Sequence, residues 1–409
     1  VSLQFNTGSN NTAVGYGSLY TNTTGQKNAA FGNYAFRNNT IGQLHCAFGH
    51  GSLQNNTING GNNAFGFQAL TSNTTGYTNN AFGKYALLNN TTGTNNNAFG
   101  YGALQFVEGG SHNTAMGYGA LLYNKATGNT AIGFGSLFTN TTGAVNAAVG
   151  YQALTYNTIG ASNSAFGGYA LLNNTIGNNN VAFGVNSLRS NTTGSDNSAF
   201  GTAALQNNTI GTKNTAVGRT SLFYNTTGSN NSAFGHYALL NNTTGTHNTA
   251  VGRSALQENT YGIKNTAFGS YSLKTNTVGQ ANSAFGYDAL KANTIGNFNI
   301  AIGRSALIAN TTGSYNTAVG VNSLFGNTTG WQNLAFGVSA LEANTIGGNN
   351  IGIGNNALSF NTIGNRNVAV GNQSLYNNIS GNNNSAFGYK ALYGNTTNNN
   401  SAFGYLALT

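Results

Sequence analysis

Hydrophobic and polar positions recur along this chain with a period of 17 residues. Residues 11–27 show one period: Asn-Thr-Ala-Val-Gly, two variable positions, Ser-Leu, two more variable positions, Asn-Thr-Thr-Gly, and a variable pair. The first glycine of the period returns 24 times, from Gly15 to Gly404. Of its 23 intervals, 21 are 17 residues and two (117 to 133 and 388 to 404) are 16. A fixed short period over a whole chain predicts a one-dimensional architecture in which each unit packs on its neighbours. Seventeen residues are too few for a helix–turn–helix or a propeller blade and suit one coil of a β-solenoid. The predicted fold is therefore all-β: a parallel β-solenoid (β-roll or β-helix) of 24 coils, running as one continuous array over 1–409.

Within a coil, Thr12-Ala13-Val14 reads as a short extended segment, with Thr12 and Val14 on one face and Ala13 on the other. The Val14 position is Phe 14 times, Val six, Ile three and Met once, which predicts an inward column. The Leu19 position is Leu in 23 of 24 copies, with Phe36 the exception, and anchors a second segment. Thr24, which alternates with Ile (Ile41, Ile58, Ile159, Ile176), is a third inward candidate. The Asn28 position holds Asn in 23 of 24 copies, His45 being the exception, and the Asn22 position nearly always holds Asn. These amides are placed to hydrogen-bond their equivalents one coil away, and Asn tolerates left-handed turns. Gly25 reads as a second left-handed corner.

Ala13 is alanine in 23 of 24 copies and Ser18 is always Ala or Ser. Alternation points both away from Val14 and Leu19. Alanine is a mediocre strand former, and charge would drift onto an open surface. Something therefore lies against that face, either the opposite wall of a flattened coil or another chain. Ala13, Ala98, Ala199 and Ala301 are the corresponding candidates for inter-chain packing.

Composition sharpens this picture. Only 5% of residues are charged, yet aromatic and leucine residues sit at fixed phase, which argues against disorder. Proline is absent, as fits strands that are all central in a stack. The net charge of +9 comes from 14 scattered Lys and Arg against 5 acids, without a basic stripe, so nucleic acid is not an expected partner. No apolar run reaches spanning length and no signal peptide opens the chain, so membrane insertion is not expected. Cys46 occupies a small-residue position and has no second cysteine to pair with. Residue 1 and Thr409 both fall in mid-coil, so the array reads as uncapped, a segment of a longer chain or a polymerising unit.

The string Asn-Thr-Ala-Val-Gly-Tyr-Gly-Ser-Leu at 11–19, in its many copies, resembles the head repeat of trimeric autotransporter adhesins. It is also similar to the repeat arrays of phage and virus tail-fibre-like proteins. The resemblance covers all 409 residues and implies a β-roll, trimeric assembly and attachment. The added Asn-Thr-[Thr/Ile]-Gly corner departs from the adhesin repeat and lengthens the coil.

Candidate chemistry is sparse. The acids Glu108, Asp196, Glu258, Asp288 and Glu342 are separated by several coils, whereas a solenoid hydrolase needs paired carboxylates on one wall. The five histidines lack metal-ligand spacing, and the turns are Asn- and Gly-rich rather than Asp-rich. No catalytic residue, metal or cofactor is expected. The one lapse in periodicity, Phe106–Gly110, lies a coil from the Lys125–Gly128 irregularity and reads as a tolerated corner. The positions just after the repeat glycine carry Tyr in half the copies: Tyr16, Tyr34, Tyr85, Tyr101, Tyr118, Tyr151, Tyr169, Tyr237, Tyr271, Tyr287, Tyr389 and Tyr405. Such a column suits binding of cell-surface glycans, lateral packing, or capping of the coil corner. The Thr23 position is Thr in 20 of 23 coils, a rank like that of ice-binding solenoids, although Thr23 and Thr24 are adjacent and predicted to point apart.

The functional expectation is a non-enzymatic structural fibre of an extracellular, cell-surface or virion appendage. It would self-associate as a trimer or filament and mediate attachment as an adhesin or tail fibre. A filament subunit stacking head to tail and an ice-binding solenoid are the alternatives.

Overall fold

Each period closes into one coil, and residues 79–95 show how. In the computed structural model, which describes residues 2–58 and 60–409, Asn80–Phe82 is a three-residue strand pairing in parallel with Asn97–Phe99 of the next coil. The register is Asn80 on Asn97, Ala81 on Ala98 and Phe82 on Phe99, a displacement of one period. Hydrogen bonds continue around the turns. The amides of Leu87, Asn89 and Thr91 donate to Ala103, Gln105 and Glu108 of the next coil, while those of Gly83, Tyr85 and Asn95 donate to Phe65, Phe67 and Tyr77 of the previous one (2.8–3.1 Å). Most backbone groups are thus satisfied by stacking, with a few turn bonds inside the coil such as Asn90 N–H to the Leu87 carbonyl (3.1 Å). A proline at any of the inter-coil donors would remove a rung.

The chain forms two compact units, Val1–Ile210 and Gly211–Thr409. The first contains twelve parallel strands, β1 (Thr12–Val14) to β12 (Ser198–Phe200). The second contains twelve more, β13 (Thr215–Val217) to β24 (Ser401–Phe403). All 24 belong to a β-solenoid without helix among the described residues. The two 16-residue periods keep strand register: Ala115 pairs with Ala131 and Ala386 with Ala402, so the missing residue is taken from the corner.

The interior reverses part of the sequence expectation. Ala81, Ala86, Leu87, Asn79 and Asn90 are fully buried, while Phe82 lies half-buried on the outer face. Ala98, Ala199 and Ala301 likewise have no exposed surface, and Ala13, in the first coil, is half-buried. The alanines therefore fill the inside of their own coil and are not presented to another chain. The reason is width. Two small residues, one leucine and two asparagines fill the cross-section, and the opposite wall comes so close that only a methyl fits. Phenylalanine has no room there and turns outward. The Ile41, Ile159 and Ile176 side chains are also exposed, so the Thr24 position is outward too.

Two backbone features explain the constant columns. Leu87 adopts a left-handed conformation (φ 53°), as does nearly every leucine of its column. For a β-carbon-bearing residue this costs about 1–2 kcal/mol. Complete burial of this leucine, the one large aliphatic side chain enclosed in the coil, contributes about 2 kcal/mol and offsets it. Gly93, the equivalent of Gly25, is not left-handed, contrary to expectation. It is glycine because a β-carbon there would strike the Asn90 side chain and the Gly110 carbonyl.

The asparagine columns form the expected ladders. The Asn96 backbone N–H donates to Asn79 Oδ1 (3.0 Å), and Asn79 Nδ2 donates to the Gly93 carbonyl (2.8 Å). In the other column Asn90 Nδ2 donates to Asn73 Oδ1 (2.9 Å) and to the Gly93 carbonyl (3.0 Å). Buried amides are tolerated because nearly all are paired along the stack, Asn90 Oδ1 being an exception.

Candidate interaction surfaces

With amides, methyls and one leucine inside, the coil places its Phe and Tyr side chains outside. On the strand face, Phe31, Phe48, Phe65, Phe82 and Phe99 stack in sequence at 4.6–4.8 Å with ring planes within 10°. Met116 and Ile132 continue this file in the first unit, and Phe268, Phe285 and Ile302 belong to its counterpart in the second; all five are more than a third exposed. The spacing follows from strand pairing, which sets side chains of one column about 4.8 Å apart.

The tyrosine column forms a second file beside it. In the first unit ten rings follow one another without a gap: Tyr16, Tyr34, His50, Phe67, Tyr85, Tyr101, Tyr118, Phe134, Tyr151 and Tyr169. Their centroids lie 5.1–6.0 Å apart. Tyr101, Tyr118, Phe134 and Tyr151 are nearly parallel, so each ring turns its face to its neighbours and its edge outward. A sugar-stacking platform needs an uncovered ring face, and this stretch of the file does not offer one. Lys84 lies over Phe67, Tyr85 and Tyr101 (4.9–5.9 Å), adding cation–π attraction. In the second unit Tyr271 meets Tyr287 and Tyr389 meets Tyr405, whereas Tyr237 packs on His236 of its own coil.

At the corner, the Thr23 and Thr24 positions both face solvent instead of opposite sides. The Thr23-type hydroxyls donate to the next coil, as Thr294 does to the Thr311 carbonyl (3.0 Å) and Thr311 to Thr328 (3.1 Å). Their hydroxyls are committed to the backbone. The lapse at Phe106–Gly110 also has a local explanation. Glu108 and Lys125 replace threonine in adjacent coils and approach to 3.6 Å, an exposed pair of the kind that contributes little.

No family model and no curated protein matches the chain. Among the described residues, no three His, Cys, Asp or Glu side chains cluster as metal ligands would, and no helix is long and apolar enough to cross a membrane.

His45 and Phe36, two exceptions to the interior columns, belong together. Their rings meet edge to face at 4.8 Å. The imidazole takes over the asparagine's role: Nδ1 accepts from the Asn62 N–H (2.9 Å) and Nε2–H donates to the Ile58 carbonyl (3.2 Å). Burial pushes its pKa down from 6.5 to about 4, so it is neutral at physiological pH. His50, in the same coil, lies apart from it: the structure turns His45 inward and places His50 in the outer ring file, stacked on Phe67.

Proposed function

We propose that the chain is a non-enzymatic structural array of an extracellular or virion appendage. It assembles with copies of itself through the outward phenylalanine file and uses its other faces for attachment. The observation that carries this reading is the exposed apolar file on the strand face of each unit. An aromatic side chain presents roughly 150–250 Å². Eight of the twelve positions in the first unit and six of the twelve in the second are Phe, the others Val, Ile or Met, and about half of each set is more than a third exposed. The file amounts to roughly 500 Å² per unit, at the upper end of what a monomer leaves open and more than half of one partner's share of a standard interface. Monomeric proteins rarely leave so much contiguous apolar surface open. The resemblance to adhesin heads and tail-fibre arrays supports the same assignment, with a trimer as the assembly it implies.

The test is the mass of the protein in solution, by sedimentation or light scattering. The parent should be a discrete oligomer. Phe82→Lys with Phe99→Lys, and separately Phe268→Lys with Phe285→Lys, should give smaller species with unchanged circular dichroism. A parent that is monomeric at micromolar concentration and above would remove the assembly reading.

A further inference from the structure

The second unit carries one surface unlike any other described part of the chain, a shallow cleft of about 410 Å³ beside Trp331, the only tryptophan. Trp331 sits at a corner position that holds Asn, Ser or Thr in most neighbouring coils, and in the next coil that position is Gly348. A β-carbon on Gly348 would lie 3.1 Å from the indole Nε1 and 3.2 Å from Cε2. The absence of a side chain there lets the indole settle against the wall, and the ring remains 49% exposed along the cleft. No other ring stacks on it among the described residues.

From the indole the cleft runs along successive coils over a polar track. Asn349, Arg366, Asn383 and Asn399 occupy one coil position and share one left-handed conformation (φ 55–62°). They therefore project alike, about 4.8 Å apart. Their side chains make no hydrogen bond to any described residue, and Arg366 has no acidic partner. Behind them a second amide rank is fixed: Asn365 Oδ1 accepts from the Gly348 N–H (2.8 Å) and Asn382 Oδ1 from the Asn365 N–H (2.8 Å). The front rank thus offers uncommitted amides and one guanidinium on a preorganised floor.

We infer that this cleft binds an oligosaccharide of pyranose rings bearing a carboxylate. One ring stacks on the Trp331 indole, hydroxyls pair with the Asn349, Asn383 and Asn399 amides, and the carboxylate is held by Arg366. A flat apolar face with polar edges is the shape of a pyranose, and amides both donate to and accept from hydroxyls. A guanidinium matches a carboxylate through two parallel hydrogen bonds. The rank spacing is close to the advance per residue of an extended pyranose chain, so several sugars lie along the track. The inference rests on the reading of the array as an attachment element and names where it attaches and to what class of ligand.

Because Trp331 is the only tryptophan, its fluorescence reports the site directly. The intact chain is titrated with an oligogalacturonate and, in parallel, with a neutral cello-oligosaccharide. We expect a saturable emission change with the acidic oligomer and roughly tenfold weaker binding of the neutral one, the difference of one charge-assisted contact. Arg366→Gln should reduce the acidic oligomer to the level of the neutral one. Gly348→Asn, which restores the residue type of neighbouring coils and lifts the indole, should weaken both while leaving circular dichroism unchanged. Trp331→Phe, followed by calorimetry, should retain weakened binding. No emission or heat change with either sugar overturns the inference, and so does binding that Gly348→Asn leaves intact. Equal affinity for both oligomers, unaltered by Arg366→Gln, overturns the carboxylate assignment. Solution mass recorded on the same samples separates this outcome from failure of the assembly reading, since monomers that bind and oligomers that do not are distinguishable.

Discussion

The two units are built on the same interior and carry different exteriors. Inside, Ala81, Leu87 and Asn90 of the first have direct equivalents in Ala284, Leu290 and Asn293 of the second, all fully buried. Outside, the first unit runs ten rings in an unbroken file, while the second sets Arg219, Arg253, Arg304, Val321 and Val338 directly after the repeat glycine, where seven of those ten rings stand, and gathers its distinctive chemistry around Trp331. The difference separates two kinds of constraint. Interior positions are fixed by the width of the coil and by the need to pair every buried amide, and they do not vary with function. Exterior positions answer only to neighbours along the stack and to whatever the surface meets.

The strongest way to break this comparison is to attack the shared interior. Leu87→Asp and Leu290→Asp each remove a buried leucine and place a carboxylate where no partner exists. Each should cost about 5 kcal/mol or more, and because neighbouring coils supply each other's backbone partners the loss should spread beyond one coil. Equal damage in both units, read by proteolysis and hydrogen exchange, is expected. A tolerated aspartate in either unit would show that its coils do not depend on the leucine column.

Much of this organisation was legible in the sequence, and the failures share a cause. The period, the leucine column and both asparagine ladders follow from residue spacing alone. Alternation correctly separated Ala13 from Val14, but it cannot say which side is inside. Hydrophobicity pointed to Phe82 for the core. The better signal was tolerance: the Val14 position accepts Phe, Val, Ile and Met, as an open surface does, whereas the Ala13 position accepts nothing larger than a methyl. Gly25 was misread for a similar reason. A glycine between polar residues suggests a left-handed turn, and only the packed neighbours reveal that it is excluded volume that requires it. The Trp331 cleft had no signal in the repeat, since it arises from a pairing of Trp331 with Gly348 one coil away.

A second test uses the one titratable group inside the first unit. His45 stands in a column that is asparagine throughout the second unit. Its pKa is lower in the folded chain than in the unfolded one, so between pH 6.5 and about 4 the unfolded state binds the extra proton. Stability is complete above pH 6.5, declines as pH falls towards 4 and is level below, with a total loss of about 3 kcal/mol. His45→Asn should abolish this dependence in the first unit, measured by urea unfolding across that range. Reverting both exceptions, with Phe36→Leu, should be non-additive because the two rings touch. A pH dependence of the same size in the second unit would assign the effect elsewhere.

A smaller effect, of opposite sign, is expected at Val107. It interrupts the Asn22-type column of the first unit, and Asn90 Oδ1 is buried there without a hydrogen-bond partner. Val107→Asn supplies the missing donor and should raise stability by about 1–2 kcal/mol. No gain would mean that Val107 packing compensates for the lost rung.

The smallest expected effect concerns the ring file that distinguishes the two exteriors. Tyr118 has ring neighbours on both sides, Tyr101 at 5.1 Å and Phe134 at 5.2 Å, whereas Tyr287 has one, Tyr271 at 6.0 Å. Aromatic pairs contribute about 0.5–1.5 kcal/mol beyond their buried area. Half-exposed rings fall at the lower end of that range. Tyr118→Ser should therefore cost about 1 kcal/mol and Tyr287→Ser about half as much, a difference resolvable by denaturant midpoints at fixed slope. The ratio matters more than either value. If it holds, the file stabilises the first unit as a cross-coil ladder, with its ring faces occupied by one another. If both substitutions are neutral, the rings of the first unit are retained for a surface they touch, and the contrast between the units becomes one of partners rather than of stability.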